Sequence, residues 1–482
     1  MKTSLLVCAD QPVLLRRLRP ALLALVAGSA LALPAAETNA PSLLPAKPKW
    51  LTEASLSVRE SYDNNIFLSG VESKYLPAKY TIPAGGVAAL KNEYSWITTV
   101  SPKIGFEFAP LIGSDVLKSL TLGYAPEFVT FHDAQSESYD AHRLAAGIKL
   151  KAGDFSLTAD NLFTYVNGSE FGPSYPGRTN PPTSYYSSFV NTTVRERREQ
   201  TQDRANLALQ YDQPGWFVRG VGALQNYNLL THQLPAGSIT NNGYFSYPDR
   251  YDLNVGGDIG YKVTTNFALT IGYRIGEQHQ ETLPKSVDTY GQTSSSDYQR
   301  LLLGFEGKPV NWLTTKVQAG PDFRKYTDAA PVRHEDVVTF YGEGLLEARL
   351  SPDDTLSLRC KQWRWMSSGG KVPDDEMQCD LNYARKLTDK LSLNLGARIA
   401  RADYHCGLAY TKPLHTQANA IMNPRDDWDY TGIVSLRYAF TPNFSMDAGY
   451  VYDVGNNADG YVIDGTRNFK RQVVSMGATV KF

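Results

Sequence analysis

The chain has 482 residues and a formal net charge of −1, with 48 Lys and Arg against 49 Asp and Glu. That balance leaves no basic field for a nucleic-acid partner. Tyr at 29 and Gly at 38, against Met at 6, favour strands and turns over helices. The length admits either two or three soluble domains or one large barrel.

The N-terminus reads as a leader. Arg16, Arg17 and Arg19 precede an apolar run over 21–33, and the small-residue exits Ala30-Leu31-Ala32 and Pro34-Ala35-Ala36 follow. Residues 1–36 are therefore read as a signal peptide, with cleavage after Ala32, Ala36 or Ala40. The alternative, an anchoring helix, needs a longer run to span a hydrocarbon core of about 30 Å. No other stretch reaches about 18 consecutive apolar residues, which excludes a helical inner-membrane protein. Residues 37–52 are read as a short periplasmic lead-in and 53–482 as one barrel.

Period-two alternation then runs through nearly all of the remaining sequence. Strands are predicted to start near Ala54, Tyr94, Ser119, Tyr139, Phe155, Gln200, Trp216, Tyr251, Phe267, Tyr298, Trp312, Val337, Thr355, Glu376, Leu391, Asp427, Phe444 and Phe469. Early in the chain, Trp96, Thr98, Val100, Pro102, Ile104 and Phe106 fall on one face and Ser95, Thr99, Lys103, Gly105 and Glu107 on the other. Midway, Tyr251, Leu253, Val255, Gly257, Ile259 and Tyr261 oppose Asp252, Asn254, Gly256, Asp258, Gly260 and Lys262. Pro102, Pro126 and Pro321 fall inside strands and are predicted to mark bulges. At the end, Phe482, Val480, Ala478, Met476 and Val474 oppose Lys481, Thr479, Gly477, Ser475 and Arg471.

Each strand runs to about a dozen residues, enough to cross a bilayer at a tilt of about 45°, where sandwich strands usually run to about 5–6. Aromatic residues gather at strand ends, as Trp428 and Tyr430 do at one end and Tyr438 and Phe440 at the other; rings of that kind favour membrane–water boundaries. Short turns with Gly, Pro, Asn or Asp, such as 151–154, 212–215, 263–266, 351–354, 388–389 and 441–443, alternate with long polar connections such as 167–198, 232–248, 278–297 and 406–426. The expected fold is thus all-β: a transmembrane antiparallel up-and-down barrel of about 18 strands, within about 16 to 20, with short periplasmic turns and long extracellular loops.

If the apolar face meets lipid, the other face lines a lumen. Its candidate basic residues are Arg59, Lys103, Arg143, Lys149, Arg204, Arg219, Lys262, Arg274, Lys316, Arg359, Lys361, Arg398, Arg437 and Arg471. Acidic candidates are Glu107, Asp160, Asp252, Asp258, Glu343, Glu347, Asp380 and Asp447, so this face is expected to be net basic by about three to two. A basic lumen concentrates anions; the alternative is a ladder of ion pairs that only braces the wall.

Cys360 and Cys379 fall on strands expected to be neighbours in one hairpin, as a disulfide or as two thiols on the lipid face. The run Arg195-Glu196-Arg197-Arg198-Glu199 is a candidate contact for lipopolysaccharide or a solvated rim. Loop aromatics Tyr175, Tyr185, Tyr186, Tyr244, Phe245 and Tyr247 could stack on sugar or pack the loops. His405, Cys406 and His415 match no standard zinc spacing, no nucleophile-elbow or phosphate-loop motif occurs, and no cofactor or metal is expected.

Two stretches carry a family likeness: Val58-Arg59-Glu60-Ser61-Tyr62-Asp63-Asn64-Asn65-Ile66-Phe67 and Trp96-Ile97-Thr98-Thr99-Val100-Ser101-Pro102. With the Phe482 ending, the chain resembles the beta-barrel porin type 2 family, whose members include barrels encoded beside exopolysaccharide biosynthesis genes. Lys103 and Ile104 separate Pro102 from Gly105, where that family has Gly directly after the proline. The resemblance implies an outer-membrane channel that helps pass polymer outward, and polysaccharide export partners.

The sequence therefore predicts a cell-outer-membrane channel, not an enzyme, for exopolysaccharide or small anionic or saccharide solutes. The alternatives are a structural or adhesive surface protein with a sealed lumen and an enzyme with its site on the barrel rim. Expected partners are outer-membrane lipid, lipopolysaccharide and the barrel-assembly machinery. The last would read Phe482, Val480, Ala478 and Met476, and the final strand is predicted to pair with the strand near Ala54 and close the ring.

Overall fold

A computed structural model describes residues 48–66, 68, 94–168, 197, 199–230, 249–281, 294–327, 336–366, 373–404, 425–457 and 468–482. The expected leader over 1–36, most of the expected lead-in, and the loop aromatics Tyr175, Tyr185, Tyr186, Tyr244, Phe245 and Tyr247 lie outside these residues. So do Cys406, His405, His415 and, in the charged run, Arg195, Glu196 and Arg198.

The described chain is almost entirely strand. In order these are β1 (Leu51–Asp63), β2 (Ser95–Glu107), β3 (Leu117–Tyr124), β4 (Glu127–Phe131), β5 (Tyr139–Ala152), β6 (Phe155–Asn167), β7 (Gln200–Asp212), β8 (Trp216–Leu229) and β9 (Arg250–Thr264). Then come β10 (Phe267–Gln280), β11 (Ser296–Val310), β12 (Leu313–Tyr326), β13 (Val337–Arg349), β14 (Asp354–Trp365) and β15 (Asp374–Lys386). The last four are β16 (Leu391–Tyr404), β17 (Arg425–Ala439), β18 (Phe444–Asn457) and β19 (Phe469–Lys481). One short helix, α1 (Ala109–Ile112), sits in the β2–β3 connection and ends on Gly113.

All these strands form a single antiparallel sheet that follows chain order around the wall, and β19 pairs back onto β1. The ring is closed, so no sheet edge is left over as a whole strand. The closing register runs from Ser55 opposite Lys481 to Asp63 opposite Val473, and the Phe482 N–H donates to the Ala54 carbonyl at 2.8 Å. The ring closure predicted from the terminal strand is what the fold contains.

β3 and β4 occupy one position in the wall, since both pair with β2 on one side and β5 on the other. The barrel therefore has 18 strands, one of them broken in two. The break is at Ala125-Pro126. β2 pairs with β3 up to Ile104–Tyr124 and resumes with β4 at Val100–Phe128, so Pro102 and Pro126 face each other where the ladder stops. Neither proline has an N–H to donate, and the gap follows from that.

The predicted short turns lie between β5 and β6, β7 and β8, β9 and β10, β13 and β14, β15 and β16, and β17 and β18. Gly153 takes φ +58 in the first of these, a conformation that other L-residues enter at a cost. These turns and both strand termini share one end of the barrel, which is the periplasmic end by this connection pattern.

The two faces separate as the alternation predicts. Ile259, Tyr261, Leu303, Val338 and Met476 are each more than half exposed, and they belong to the apolar face. Their neighbours in sequence turn inward and are buried against one another; Asp258, Leu302 and Ser475 are examples. A soluble protein does not expose so continuous an apolar band, whereas a bilayer covers it. Outward rings pair near the periplasmic end, as in Phe155–Tyr211 at 4.7 Å and Tyr438–Phe440 at 4.8 Å. They also pair near the outer end, as in Tyr62–Trp96 at 5.3 Å and Trp428–Tyr430 at 6.1 Å. The chain is an outer-membrane β-barrel.

Candidate functional site

Every basic residue predicted to line the lumen lies on the inward face. The strand pairings put Arg59 opposite Gly477, Arg274 opposite Arg300, Lys316 opposite Leu345, Arg359 opposite Asp380, Lys361 opposite Glu343, and Arg398 opposite Asp380. Lys103, Arg143, Lys149, Arg204, Arg219, Arg437 and Arg471 occupy inward positions on β2, β5, β5, β7, β8, β17 and β19. They do not form one site. They are spread around the wall, and most are tied to carboxylates.

The tightest of these ties is at the closing seam. Arg471 donates two bonds to Asp63 Oδ2, at 2.8 and 2.9 Å, and one to Asp453 at 3.0 Å. Thr431 donates to the other Asp453 oxygen at 2.6 Å. Lower in the same wall Arg59 meets Asp447 at 2.7 Å. On the other side Arg219 forks onto Glu306 with two bonds of 2.9 Å and also meets Asp258, which Arg274 contacts at 2.7 Å. Arg398 meets Asp380 at 2.8 Å, Arg143 meets Glu127 at 2.7 Å, and Lys103 meets Glu53 at 2.7 Å.

This corrects the expected net basic face. Asp63, Glu127, Glu306, Asp322, Asp374, Glu376, Asp427, Asp429 and Asp453 also occupy inward positions, and they bring the two signs near parity. The face assignment of each strand was legible; the acids near the strand tips were left out of the sum.

Exposure divides the charges differently from their number. Asp252 accepts from the Tyr298 hydroxyl at 2.7 Å and from Gln278 at 2.6 Å. Glu343 accepts from Tyr341 at 2.9 Å and from Gln318, and Asp160 from Asn206 at 2.9 Å. Glu107 takes Ser119 and the N–H groups of Ala109 and Leu120. These acids are satisfied by neutral donors in the wall. Lys149, Lys316 and Arg437 are exposed instead, and among the described residues none of the three makes an ion pair. Arg437 spends two N–H groups on Ser445, at 2.8 and 3.2 Å. Asp160 and Glu347 are the exposed acids among those named on this face.

Arg437 and Arg359 open onto a cavity of about 660 Å³ in the periplasmic half, lined also by Glu347, Asp380, Asn382 and Asn394. It is of the size that small polar solutes occupy. The outer half is more crowded. Arg300 and Arg324 share Asp322, each at 3.0 Å, and both lie over the Tyr298 ring, at 4.0 and 4.9 Å. Trp365, at the tip of β14, meets Tyr227 of β8 edge-on at 6.4 Å, a contact across the lumen.

A second inward element was not foreseen. Beyond β1 the chain turns inward, and Ile66 joins Ile97, Val129, Phe131, Tyr139, Ala141 and Val166 in a dry cluster inside the outer mouth. Arg197 caps it, donating to the Ile66 carbonyl at 2.8 Å, pairing with Glu137 at 3.2 Å and lying 4.9 Å over Phe131. Burial lowers the pKa of this guanidinium, and the Glu137 carboxylate opposes that shift. Arg197 is thus held inside the mouth, not displayed on a solvated rim. The one available signal was apolar residues on the lumen side of β2, β4, β5 and β6.

Cys360 pairs directly with Cys379 across β14 and β15, with Cα atoms 4.1 Å apart, and the two are joined as a disulfide on the outward face. Phe482, Val480, Ala478 and Met476 face outward along β19.

On the outside of β1, β2 and β4, the Thr98 hydroxyl lies 2.6 Å from Glu60 Oε1 and 2.7 Å from His132 Nε2. The hydroxyl stands between acid and imidazole. In a nucleophile triad the acid instead holds the far side of the imidazole. No cluster of three or more His, Cys, Asp or Glu among the described residues has the geometry of a metal site.

No family model matches the chain, and no curated protein matches it. Solved structures do. OccK2 (OpdF) of Pseudomonas aeruginosa in complex with glucuronate is 13% identical, covering 89% of this chain and 98% of its own, with a TM-score of 0.40. A BenF-like porin from Pseudomonas fluorescens Pf-5 is 11% identical over 89% and 98%, with a TM-score of 0.39. OccAB3 of Acinetobacter baumannii is 14% identical over 89% and 99%, with a TM-score of 0.37.

Proposed function

We propose that this protein is a diffusion channel for small polar solutes, with a preference for anions and acidic saccharides. The observation that carries the reading is the unequal exposure of its lumen charges. Most lumen acids are buried under hydroxyl, amide or guanidinium donors, while Lys149, Lys316 and Arg437 stay exposed without an ion pair among the described residues. A solute in the periplasmic-half cavity meets Arg437 and Arg359 at close range, in a space where field lines are focused by low-dielectric walls. The polar lining of Asn382 and Asn394 suits sugar hydroxyls as well.

Polymer export, which the family resemblance implied, is not carried forward. Contacts such as Trp365 with Tyr227 cross the outer half and leave a polymer chain little room. A lectin-like or adhesive role keeps one supporting observation, the dense ion pairing of the wall, which would brace a sealed barrel as well as an open one.

The test is the reversal potential of the purified barrel in a planar bilayer under a KCl gradient. The channel reading expects anion preference, and Lys316→Ala with Arg437→Ala should move the potential toward cations. Cation preference in the unaltered protein, or no shift in the double variant, would refute the anion reading.

A further inference from the structure

The β13–β14 hairpin is not zipped to its end. Its last paired residues are Gly342 and Gln362. Yet β13 continues outward to Val337, still paired with β12 at Arg324, and β14 continues to Trp365, still paired with β15 at Asp374. Continuing the same register would place Tyr341 opposite Trp363, Phe340 opposite Arg364 and Thr339 opposite Trp365. None of these pairs forms. The upper β14–β15 hairpin has left β13 while staying attached to β16, with which β15 pairs up to Asp375–Asp403.

It has turned into the lumen. The Arg364 carbonyl accepts from Gln278 of β10 at 3.2 Å and from Arg324 of β12 at 3.1 Å. Arg364 Nη1 donates to the Tyr326 hydroxyl at 3.4 Å, and Trp365 reaches Tyr227, six strands away around the wall. Met366 and Asp374 are fully buried by this placement. The side of β13 that the hairpin vacated keeps its backbone groups without strand partners, and the buried Thr339 hydroxyl has no hydrogen-bond partner among the described residues.

We propose that the outer end of the β14–β15 hairpin is a gate with two seats. In the inward seat it is latched by Gln278 and Arg324 on the Arg364 carbonyl and narrows the outer lumen. In the outward seat it re-pairs with β13 through Tyr341–Trp363 and Thr339–Trp365, gives the vacated backbone groups their ladder bonds, and widens the lumen. Each seat satisfies groups that the other leaves open, which is what makes an element bistable. The outer residues of β13 lack ladder bonds on that side, so re-pairing in the outward seat has a driving force of its own. Pro321, which pairs with Phe340 and interrupts the β11–β12 ladder beside it, loosens the wall at the level where the hairpin departs. The Cys360–Cys379 disulfide lies just below the departure point and keeps the hairpin itself from fraying as it swings.

The inference rests on the channel reading for its consequence, but not for its test. Thr339→Cys and Trp365→Cys are introduced together in the full chain with Cys406→Ser, and the native disulfide is kept. Oxidation in liposomes, read by mass spectrometry of the linked peptides, reports the outward seat directly. The gate predicts that the new link forms, that Arg324→Ala raises its yield, and that linked barrels conduct more than unlinked ones by about twofold or more. Arg324→Ala alone should raise conductance in the same direction. A link that does not form in barrels shown to be folded by heat-modifiable gel mobility, with or without Arg324→Ala, would overturn the gate. A link that forms while no barrel carries current would uphold the movement and sink the channel reading instead.

Discussion

Replacing Arg471 with Met tests whether the closing seam is held by its charges or only decorated by them. The guanidinium joins β19 to β1 through Asp63 and to β18 through Asp453, and the three side chains are 5%, 1% and 2% exposed. Three charge-assisted hydrogen bonds are lost, each of roughly 1.5–3 kcal/mol net. That sum overstates the effect, because burying the guanidinium also costs desolvation that the variant recovers. The larger consequence is two carboxylates left in the wall without their cation, and removing one partner of such a group costs about 3–5 kcal/mol. Thr431 still supports Asp453, and the Asn65 N–H at 2.9 Å still supports Asp63, so the lower half of that range is expected. Equilibrium urea unfolding into and out of lipid vesicles, followed by tryptophan fluorescence and heat-modifiable mobility, measures it. Arg471→Met with Asp63→Asn and Asp453→Asn should recover most of the loss, since no buried charge then remains. A single variant within about 1 kcal/mol of the parent would mean that the cluster behaves as a surface pair and that the seam is not dry.

Three further outcomes follow from the same geometry. Gly260→Ala should destabilise the barrel by about 1–3 kcal/mol, because its Cβ would sit 2.2 Å from the Phe217 ring packed over it from β8; Phe217→Leu in the same chain should return part of the loss in urea titration. Phe482→Ala should slow insertion by the assembly machinery while leaving the folded barrel nearly as stable, since the Phe482 N–H bond to Ala54 is a backbone bond that survives the change; a pulse-chase of heat-modifiable protein in cells, set beside refolding of the same variant in vesicles, separates the two effects. Arg197→Ala should open the outer mouth, because it removes the group that ties the Ile66 carbonyl to Glu137; raised conductance with unchanged sheet content by circular dichroism is expected, and unchanged conductance would place the constriction elsewhere.

The wall of this barrel was legible because each strand solves the same local problem. One face meets hydrocarbon and the other meets charge, so the alternation of Tyr251 to Lys262 or of Val474 to Phe482 carries the face of each residue without reference to any other strand. Pro126 was legible for a similar reason, since a missing N–H breaks a ladder wherever it falls. The interior was not legible. Arg219 with Glu306, Arg364 with Gln278 and Trp365 with Tyr227 are contacts between strands three to six apart, and their pairing depends on curvature that no local pattern encodes. The charge balance failed in part at a strand tip, where Asp374 precedes the start expected at Glu376 but belongs to the inner wall, and in part because inward acids such as Asp63 and Asp427 were left out of the sum. The inward turn at Ile66 sits inside the very stretch that carried the family likeness, Asp63-Asn64-Asn65-Ile66. Asp63 and Asn65 there are nearly fully buried, so that motif has a structural role at the mouth of the barrel.

The most direct test of the account as a whole is single-channel recording of the purified full chain in a planar bilayer. A closed barrel with a wetted, charge-lined lumen predicts discrete current steps that favour anions and grow when the β14–β15 hairpin is freed by Arg324→Ala. An electrically silent bilayer containing protein that is demonstrably inserted and heat-modifiable, in the parent and in the Arg324→Ala variant alike, would contradict it and leave a braced, sealed barrel as the better description.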